Sequence, residues 1–384
     1  MSLHEFEKIA VVGATGAVGT EALRLLEDRG VPAEKIIALA SAKSVGAEVE
    51  YAGGVLRVRE TTEAALEGVD LALFCASGAV SRRFIPGAIA RGTVVVDNSS
   101  AFRMQDGVPL VVPEVNGELI EDTDGHVPRL IANPNCSTIL LLVALEPLRR
   151  AFGIERIVVS TYQAVSGAGA KGMEELVEQT GAELRETVGS SASHRAPSAR
   201  DKRHGLTEEP SNRGTVFPEP CAFNVFSHNS AVDVETGLNV EEQKLIDETR
   251  KIWNDATVAI SPTCVRVPVL RAHSESVTVT LRRAATEEEV RAALRGGRGV
   301  EVIDDRAGNC FPTPRKASGR DEVLVGRVRK DPGASADGRG RTTGFSLWLC
   351  GDQLRKGAAL NAVQIAEEMK VVRRPTNRVM KLRR

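Results

Sequence analysis

The feature that most constrains this chain is a glycine-spaced turn close to its start. Lys8–Val12 is a short apolar run, and Gly13-Ala14-Thr15-Gly16-Ala17-Val18-Gly19 follows it directly. Ala17–Asp28 then carries apolar residues at helical spacing, with Val18, Ala22, Leu25 and Leu26 on one face, until Gly30 and Pro32 stop it. Glycines at a strand-to-helix turn allow tight backbone geometry. They also let a phosphate approach the free N–H groups and the positive end of the helix. The spacing is GxxGxxG rather than GxGxxG, but its place between an apolar strand and a helix predicts a dinucleotide-binding unit.

The rest of the first 135 residues keeps the same rhythm. Lys35–Ala40, Asp70–Cys75 and Thr93–Asp97 read as strands, and Ser81–Ala90 as a helix. Apolar strands without clean alternation, joined by helices, predict a parallel sheet covered on both faces. After residue 135 the pattern changes. Helices are expected over Ser137–Arg150, Ala170–Val188 and Val240–Asp255, and strands over Arg156–Ala164, Ser276–Leu281, Val300–Ile303, Glu322–Val328 and Gly344–Leu349. Gly189–Arg213 is polar and reads as a surface loop. The fold class is therefore α/β: a Rossmann-like dinucleotide-binding domain over residues 1–135, then an α+β domain with a mixed sheet over 136–354. A last helix within 355–372 is expected to pack back on the first domain.

Composition removes several classes of function. Fifty basic residues stand against 51 acidic ones, a net charge of -1. That balance predicts no nucleic-acid and no membrane partner. The basic residues between Arg373 and Arg384 read as a solvated terminus. No apolar run approaches the roughly 20 residues that cross a bilayer, and the N-terminus lacks an apolar signal core, so a cytoplasmic protein is expected. The 6 cysteines form no CxxC pair, so no metal site is expected.

Two short segments point to chemistry. The second strand ends at Ser41-Ala42-Lys43-Ser44, where a protein selective for NAD usually places an acid against the ribose 2′-hydroxyl. Two hydroxyls and a lysine suit a 2′-phosphate instead, which favours NADP. Further on, Ile131-Ala132-Asn133-Pro134-Asn135-Cys136-Ser137-Thr138 leads into the apolar helix Ile139–Leu148. A thiol at a helix N-terminus can be acidified and become a nucleophile. Asn135 and the first helix amides could hold an oxyanion. Of the 6 histidines, His273 is the best partner, at the mouth of a strand and among basic neighbours.

Together these segments resemble the aspartate-semialdehyde dehydrogenases over nearly the whole length. The resemblance is carried by Gly13–Gly19, Ser41–Gly46, Asp97–Arg103, Val112–Asn116, Asn133–Thr138, Gln163–Gly169, Glu241–Lys244, Arg266–Glu275 and Lys356–Ala359. It implies that Cys136 attacks aspartyl phosphate and holds the acyl group as a thioester. His273 would be the general acid/base, and Gln163 would orient the acyl group. Arg266 would grip the α-carboxylate, Glu242 the ammonium, and Arg103 and Lys244 the phosphate. Ser166 and Gly167 would contact cofactor or substrate, and Gln353 the nicotinamide. Gly13, Ala14, Thr15, Gly16, Ala17 and Val18, with Ser41, Ala42, Lys43 and Ser44, would hold the rest of NADP. The resemblance further implies a catalytic and dimerising second domain, a homodimer or homotetramer, and a place in the biosynthesis of lysine, methionine and threonine. Two points fit the pattern less well. Lys43 stands where many relatives carry arginine, and Glu242 and Lys244 are two residues apart, so a regular helix would not present them on one face. The alternatives are an N-acetyl-γ-glutamyl-phosphate reductase, which usually follows its cysteine with Tyr-Pro-Thr, and an inactive relative, which would be expected to have lost Cys136, Gln163 or His273.

Overall fold

In the computed structural model, the apolar runs of the first third lie side by side as expected. The described residues are 3–120, 128–191 and 215–369. The basic tail and residues 192–213 of the polar stretch fall outside them. Strands β1 (Ile9–Val12) and β2 (Ile36–Ala40) are followed by a hairpin, β3 (Glu48–Tyr51) and β4 (Gly54–Arg57), and then by β5 (Arg59–Glu60), β6 (Leu71–Phe74), β7 (Val94–Asp97) and β8 (Leu130–Ala132). Six of them form a parallel sheet in the order β5-β2-β1-β6-β7-β8. Helix α1 (Ala17–Asp28) follows the glycine turn, and α2 (Gly78–Ala90) joins β6 to β7.

The glycine turn is built so that side chains would not fit. Gly13 has φ +90°, and a Cβ there would lie 2.3 Å from the carbonyl oxygen of Cys75. A Cβ on Gly19 would lie 2.0 Å from the Gly13 oxygen. The turn is thus pressed onto the carboxyl ends of β1 and β6, and the first-turn amides of α1 face outward without intrahelical acceptors.

After the short helix α3 (Pro113–Asn116), the chain enters α4 (Cys136–Phe152). Then come β9 (Ile154–Gln163), α5 (Ala170–Ser191), β10 (Phe226–Ser227), α6 (Val240–Trp253), β11 (Ala259–Arg266), β12 (His273–Ala285), α7 (Glu287–Arg295), β13 (Val300–Val302), α8 (Pro314–Ala317), β14 (Val323–Lys330) and β15 (Thr342–Gly351). The second sheet is mixed, in the order β10-β11-β9-β12-β15-β14-β13. Helix α5 reaches Ser191, so the start of the expected polar loop, Gly189–Ser191, is helical.

Helix α4 is the centre of the molecule. Ile139 to Leu145 are all buried, and they share one core with Ala10, Val12 and Phe74 of the first sheet and with Val277, Val279 and Leu347 of the second. Each such aliphatic side chain contributes about 1.5–3 kcal/mol on burial. The opposite face of the first sheet, lined by Ile9, Val11, Leu71 and Val96, is covered by α1 and by the last helix, α9 (Leu360–Glu368). The expected helix over Arg355–Met369 is not regular throughout, because Arg355–Ala359 is a π-turn that runs into α9.

This π-turn carries Lys356, which is fully buried. Its Nζ donates to Glu114 Oε2 at 2.6 Å, Asn361 Oδ1 at 2.9 Å and Gln364 Oε1 at 2.6 Å, which uses all three hydrogens. Replacement of one member would strand a charge in the core. Lys356→Met is therefore expected to lower stability by about 3–5 kcal/mol. The change would be read as a fall in the urea midpoint, and an unchanged midpoint would show that Glu114 is neutralised without the lysine.

Candidate active site

The parallel register of β11 on β9 places Arg266 opposite Gln163, and the antiparallel register of β12 on β9 places Ser274 opposite Tyr162. Three adjacent strands therefore deliver Arg266, Gln163 and His273 to one end of the second sheet. The carboxyl end of β8 delivers Cys136 to the same place from the first sheet. Cys136 is the first residue of α4, and its Sγ stands 3.5 Å from His273 Nε2.

Asn135 caps that helix. Its Oδ1 accepts from the amides of Ser137 at 3.0 Å and Thr138 at 3.3 Å, and its Nδ2 donates to Glu241 Oε1 at 2.8 Å. Capping α4 uses Oδ1 and tethering Glu241 uses one Nδ2 hydrogen, so the second Nδ2 hydrogen is the one left for the oxyanion contact expected of Asn135. Gln163 Nε2 donates to Ser137 Oγ at 2.5 Å and to Glu241 Oε1 at 3.2 Å. The amide of Ala164 donates to His273 Nδ1 at 3.0 Å. In the neutral ring the hydrogen then resides on Nε2, the nitrogen facing sulfur.

The acid in this cluster is Glu241, not Glu242. Glu242 is the N3 residue of a capping box, and its carboxylate accepts from the amides of Asn239 and Cys264, each at 2.9 Å. Glu241 and Lys244 lie three apart on one helix face and pair at 3.1 Å. The spacing of Asn239 and Glu242 before an apolar run was the signal in the sequence that could have made this choice. Arg103 is also committed. It donates to Glu248 Oε1 at 3.0 Å, to the Asn133 carbonyl at 2.9 Å and to the Asn98 carbonyl at 2.8 Å. Glu248 in turn accepts from the Asn135 amide at 2.6 Å, so the pair forms a buried floor beneath the cysteine loop. Arg266 is 2% exposed, and its Nε has no hydrogen-bond partner among the described residues. Sequence reasoning also passed over His228 and Asn229, which both touch Arg266.

Ser166 and Gly167 follow β9 and face the same cleft. A Cβ on Gly167 would stand 3.3 Å from Arg266 Nη1 and 3.4 Å from His273 Cε1. Gln353 bridges Ser166 Oγ and the Ala272 amide. Opposite them, Gly357 of the π-turn approaches the nucleophile so closely that a Cβ would lie 3.0 Å from Cys136 Cβ. Along the same carboxyl edge of the first sheet, Ser41 to Ser44 form an exposed turn after β2, beside the Gly13–Gly19 turn. Among the described residues no cluster of metal-ligating side chains occurs, and no helix is long and apolar enough to cross a membrane.

Electrostatically, the sulfur is held back. Burial pushes the Cys136 thiol up to about 12, and the Glu241 charge adds to this, while Arg103, Arg266 and Lys244 pull the other way. The expected acidification at the helix N-terminus is outweighed by burial. Burial, with Arg266 beside it, drops His273 well below its ordinary value, so the ring is neutral. Burial works to raise Glu241, but Lys244, His228 and the Asn135 amide hold it at about 2.

Comparison with known proteins gives the family. Residues 8–123 match the family described as semialdehyde dehydrogenase, NAD binding domain, and residues 145–356 match semialdehyde dehydrogenase, dimerisation domain. The chain is 44% identical over 360 residues to an aspartate-semialdehyde dehydrogenase of Synechocystis, covering 94% of this chain and 96% of the relative. It is 42% identical over 364 residues to the Bacillus subtilis protein of the same name, covering 94% and 97%. The crystal structure of Vibrio cholerae aspartate semialdehyde dehydrogenase II complexed with ASA superposes with a TM-score of 0.80 at 40% identity, over 94% of this chain and 97% of that one.

The opposing charges make one prediction. Removal of the Glu241 charge lowers the thiol pKa, which raises the thiolate fraction at a given pH. Glu241→Gln should therefore speed iodoacetamide alkylation of Cys136 roughly fivefold at pH 8. In the unmodified protein the rate should climb through pH 7–9 without a plateau. A plateau near neutrality would mean that the surrounding cations prevail over burial.

Proposed function

The chain belongs to the aspartate-semialdehyde dehydrogenases, and from that premise we propose that it makes aspartate semialdehyde from aspartyl phosphate and NADPH, with Cys136 as nucleophile. The observation that carries the assignment is the approach of Cys136 Sγ to His273 Nε2 at 3.5 Å, in a cleft shared by both sheets.

The substrate's charges find complements in the cleft. Arg266 offers a buried guanidinium with an unpartnered Nε to the α-carboxylate. Glu241 offers a carboxylate to the ammonium, and pairing there removes one of the causes that hold the thiol protonated. Lys244 is the more accessible partner for the phosphate, with Arg103 behind it as a fixed positive charge. Sulfur attacks the acyl carbon, a C–S bond forms, and phosphate leaves with the electrons of the broken C–O bond. The thiol proton departs with it. The acyl carbon next accepts a hydride, and the neutral His273 holds the developing oxyanion by a hydrogen bond from its Nε2–H. Collapse then re-forms the C=O bond, breaks the C–S bond and releases the aldehyde, and the departing sulfur takes a proton from solvent, which restores the resting thiol. Gln163, held on Ser137 and Glu241, keeps the acyl group aligned.

NADP fits the remaining surface. The Gly13–Gly19 turn leaves no room for side chains at Gly13 and Gly19, and it offers helix amides to the diphosphate. Ser41, Lys43 and Ser44 would take the 2′-phosphate. Ser166, Gly167 and Gln353 would border the nicotinamide, which supplies the hydride when bound.

We divide the chain into a cofactor domain, residues 1–135 with 355–372 returning to it, and a catalytic and dimerising domain, residues 136–354. The second sheet keeps one face uncovered, with Val158 40% and Tyr162 36% exposed and the Tyr162 ring 5.4 Å from that of Trp348. That face would meet its counterpart in a homodimer, from which a tetramer could be built. The proposed setting is the cytoplasm, and the proposed role is supply of the semialdehyde for lysine, methionine and threonine synthesis.

The test is NADPH formation from aspartate semialdehyde, phosphate and NADP. Cys136→Ala should lower turnover at least about a thousandfold while NADP binding stays within twofold. Turnover only with the N-acetylglutamate analogue would replace this reading. Lys43→Ala should narrow the preference for NADP over NAD, and an unchanged ratio would assign Lys43 to solvent.

A further inference from the structure

We infer that His228 is a positioning residue, which fixes the guanidinium of Arg266 and ties it through Ser230 to the helix start that carries Glu241. The inference rests on the reading that Arg266 takes the substrate's α-carboxylate and Glu241 its ammonium.

The backbone places His228 first. Phe226 of β10 pairs with Arg266 of β11, and the His228 amide donates to the Cys264 carbonyl at 3.0 Å, so the imidazole is delivered beside the guanidinium by the sheet itself. Arg266 Nη1 donates to the Ala164 carbonyl at 2.6 Å, and Nη2 donates to both His228 Nε2 and Asn229 Oδ1 at 2.9 Å. Arginine has donors only, so His228 Nε2 must accept. Nδ1 has two neighbours on Ser230, the hydroxyl at 3.1 Å and the backbone amide at 3.3 Å. With Nε2 accepting from arginine at 2.9 Å, the ring hydrogen sits on Nδ1 and is donated to the hydroxyl, and the longer amide contact is not a bond in this tautomer. The same hydroxyl oxygen accepts from the Glu241 amide at 3.2 Å.

A continuous string of hydrogen bonds thus runs from Arg266 through His228 and Ser230 to the first turn of α6. It holds the carboxylate site and the ammonium site at a fixed separation, as recognition of two groups on one carbon requires. The ring faces Arg266, Lys244, Glu241 and His273. Burial, aided by Arg266 and Lys244, lowers it to about 4 despite Glu241, which keeps Nε2 an acceptor at neutral pH. The bond also satisfies Nη2. The unpartnered Nε is thereby left for the ligand.

The substitution His228→Ala should raise KM for aspartate semialdehyde about tenfold, with kcat and the KM for NADP within about twofold. His228→Gln should restore most of the loss, because its amide oxygen reaches the place of Nε2 and accepts the same bond. In an Arg266→Ala background, His228→Ala should add nothing. A second measurement needs no turnover. The concentration of L-2-aminobutyrate that half-protects Cys136 from iodoacetamide should rise about tenfold in His228→Ala. Failure of the unmodified enzyme to turn over aspartate semialdehyde would overturn the proposed reaction. Equal half-protecting concentrations with and without the imidazole would overturn this inference. A Gln variant as impaired as the Ala variant, or a full effect persisting without Arg266, would also overturn it.

Discussion

The packing of α4 on every side is the constraint on which the rest of the structure depends. Its apolar residues belong at once to the first sheet and to the second, so its N-terminus can shift relative to neither. A cysteine at the first position of such a helix is fixed to the carboxyl end of a parallel strand and to the end of a mixed sheet. Nucleotide-facing and substrate-facing elements therefore converge on one sulfur without any long loop having to find its place. Close packing makes that convergence rigid, because a well-filled core has few alternative arrangements.

The same burial sets the chemistry. A thiol in this cleft is unfavourable as an anion, and the one acid beside it adds to the penalty. The cations nearby are themselves engaged: Arg103 with Glu248, Lys244 with Glu241, and Arg266 with carbonyl, imidazole and amide oxygen. The site is thus a set of nearly balanced charges, and a zwitterionic substrate alters the balance where it binds. His273 fits this economy because its tautomer is fixed by one backbone amide, so its acidic nitrogen already faces sulfur.

Much of this was legible in the sequence, and the reasons differ by element. The glycine turn was clear because Gly13 and Gly19 have no sterically possible substitute there. Cys136, Gln163, Arg266 and His273 stood in motifs; strand register brings the last three together, and the start of α4 brings Cys136 to them. Glu242 was the wrong choice of two adjacent acids, since a capping box claims it and only side-chain direction separates it from Glu241. Strand β11 was missed because Pro262 argues against a strand. It is tolerated because β10 pairs with β11 only at its far end, leaving that side open at the proline. The β3–β4 hairpin was missed because its turn, Ala52-Gly53, places an alanine at φ 50°, where asparagine or aspartate would have advertised the bend. His228 belongs to no periodic pattern, and only the fold brings it to Arg266.

The π-turn that presses Gly357 against Cys136 has a consequence for how the protein comes into being. The wall of the cleft nearest the nucleophile is contributed by a segment translated more than two hundred residues after it. A nascent chain emerging from the ribosome can assemble the parallel sheet and bury α4, yet its sulfur remains open to solvent and to passing electrophiles until the last helix has docked. Competence for reaction thus waits on the segment that carries Gly357, and a chain that stalls before it carries an unguarded thiol.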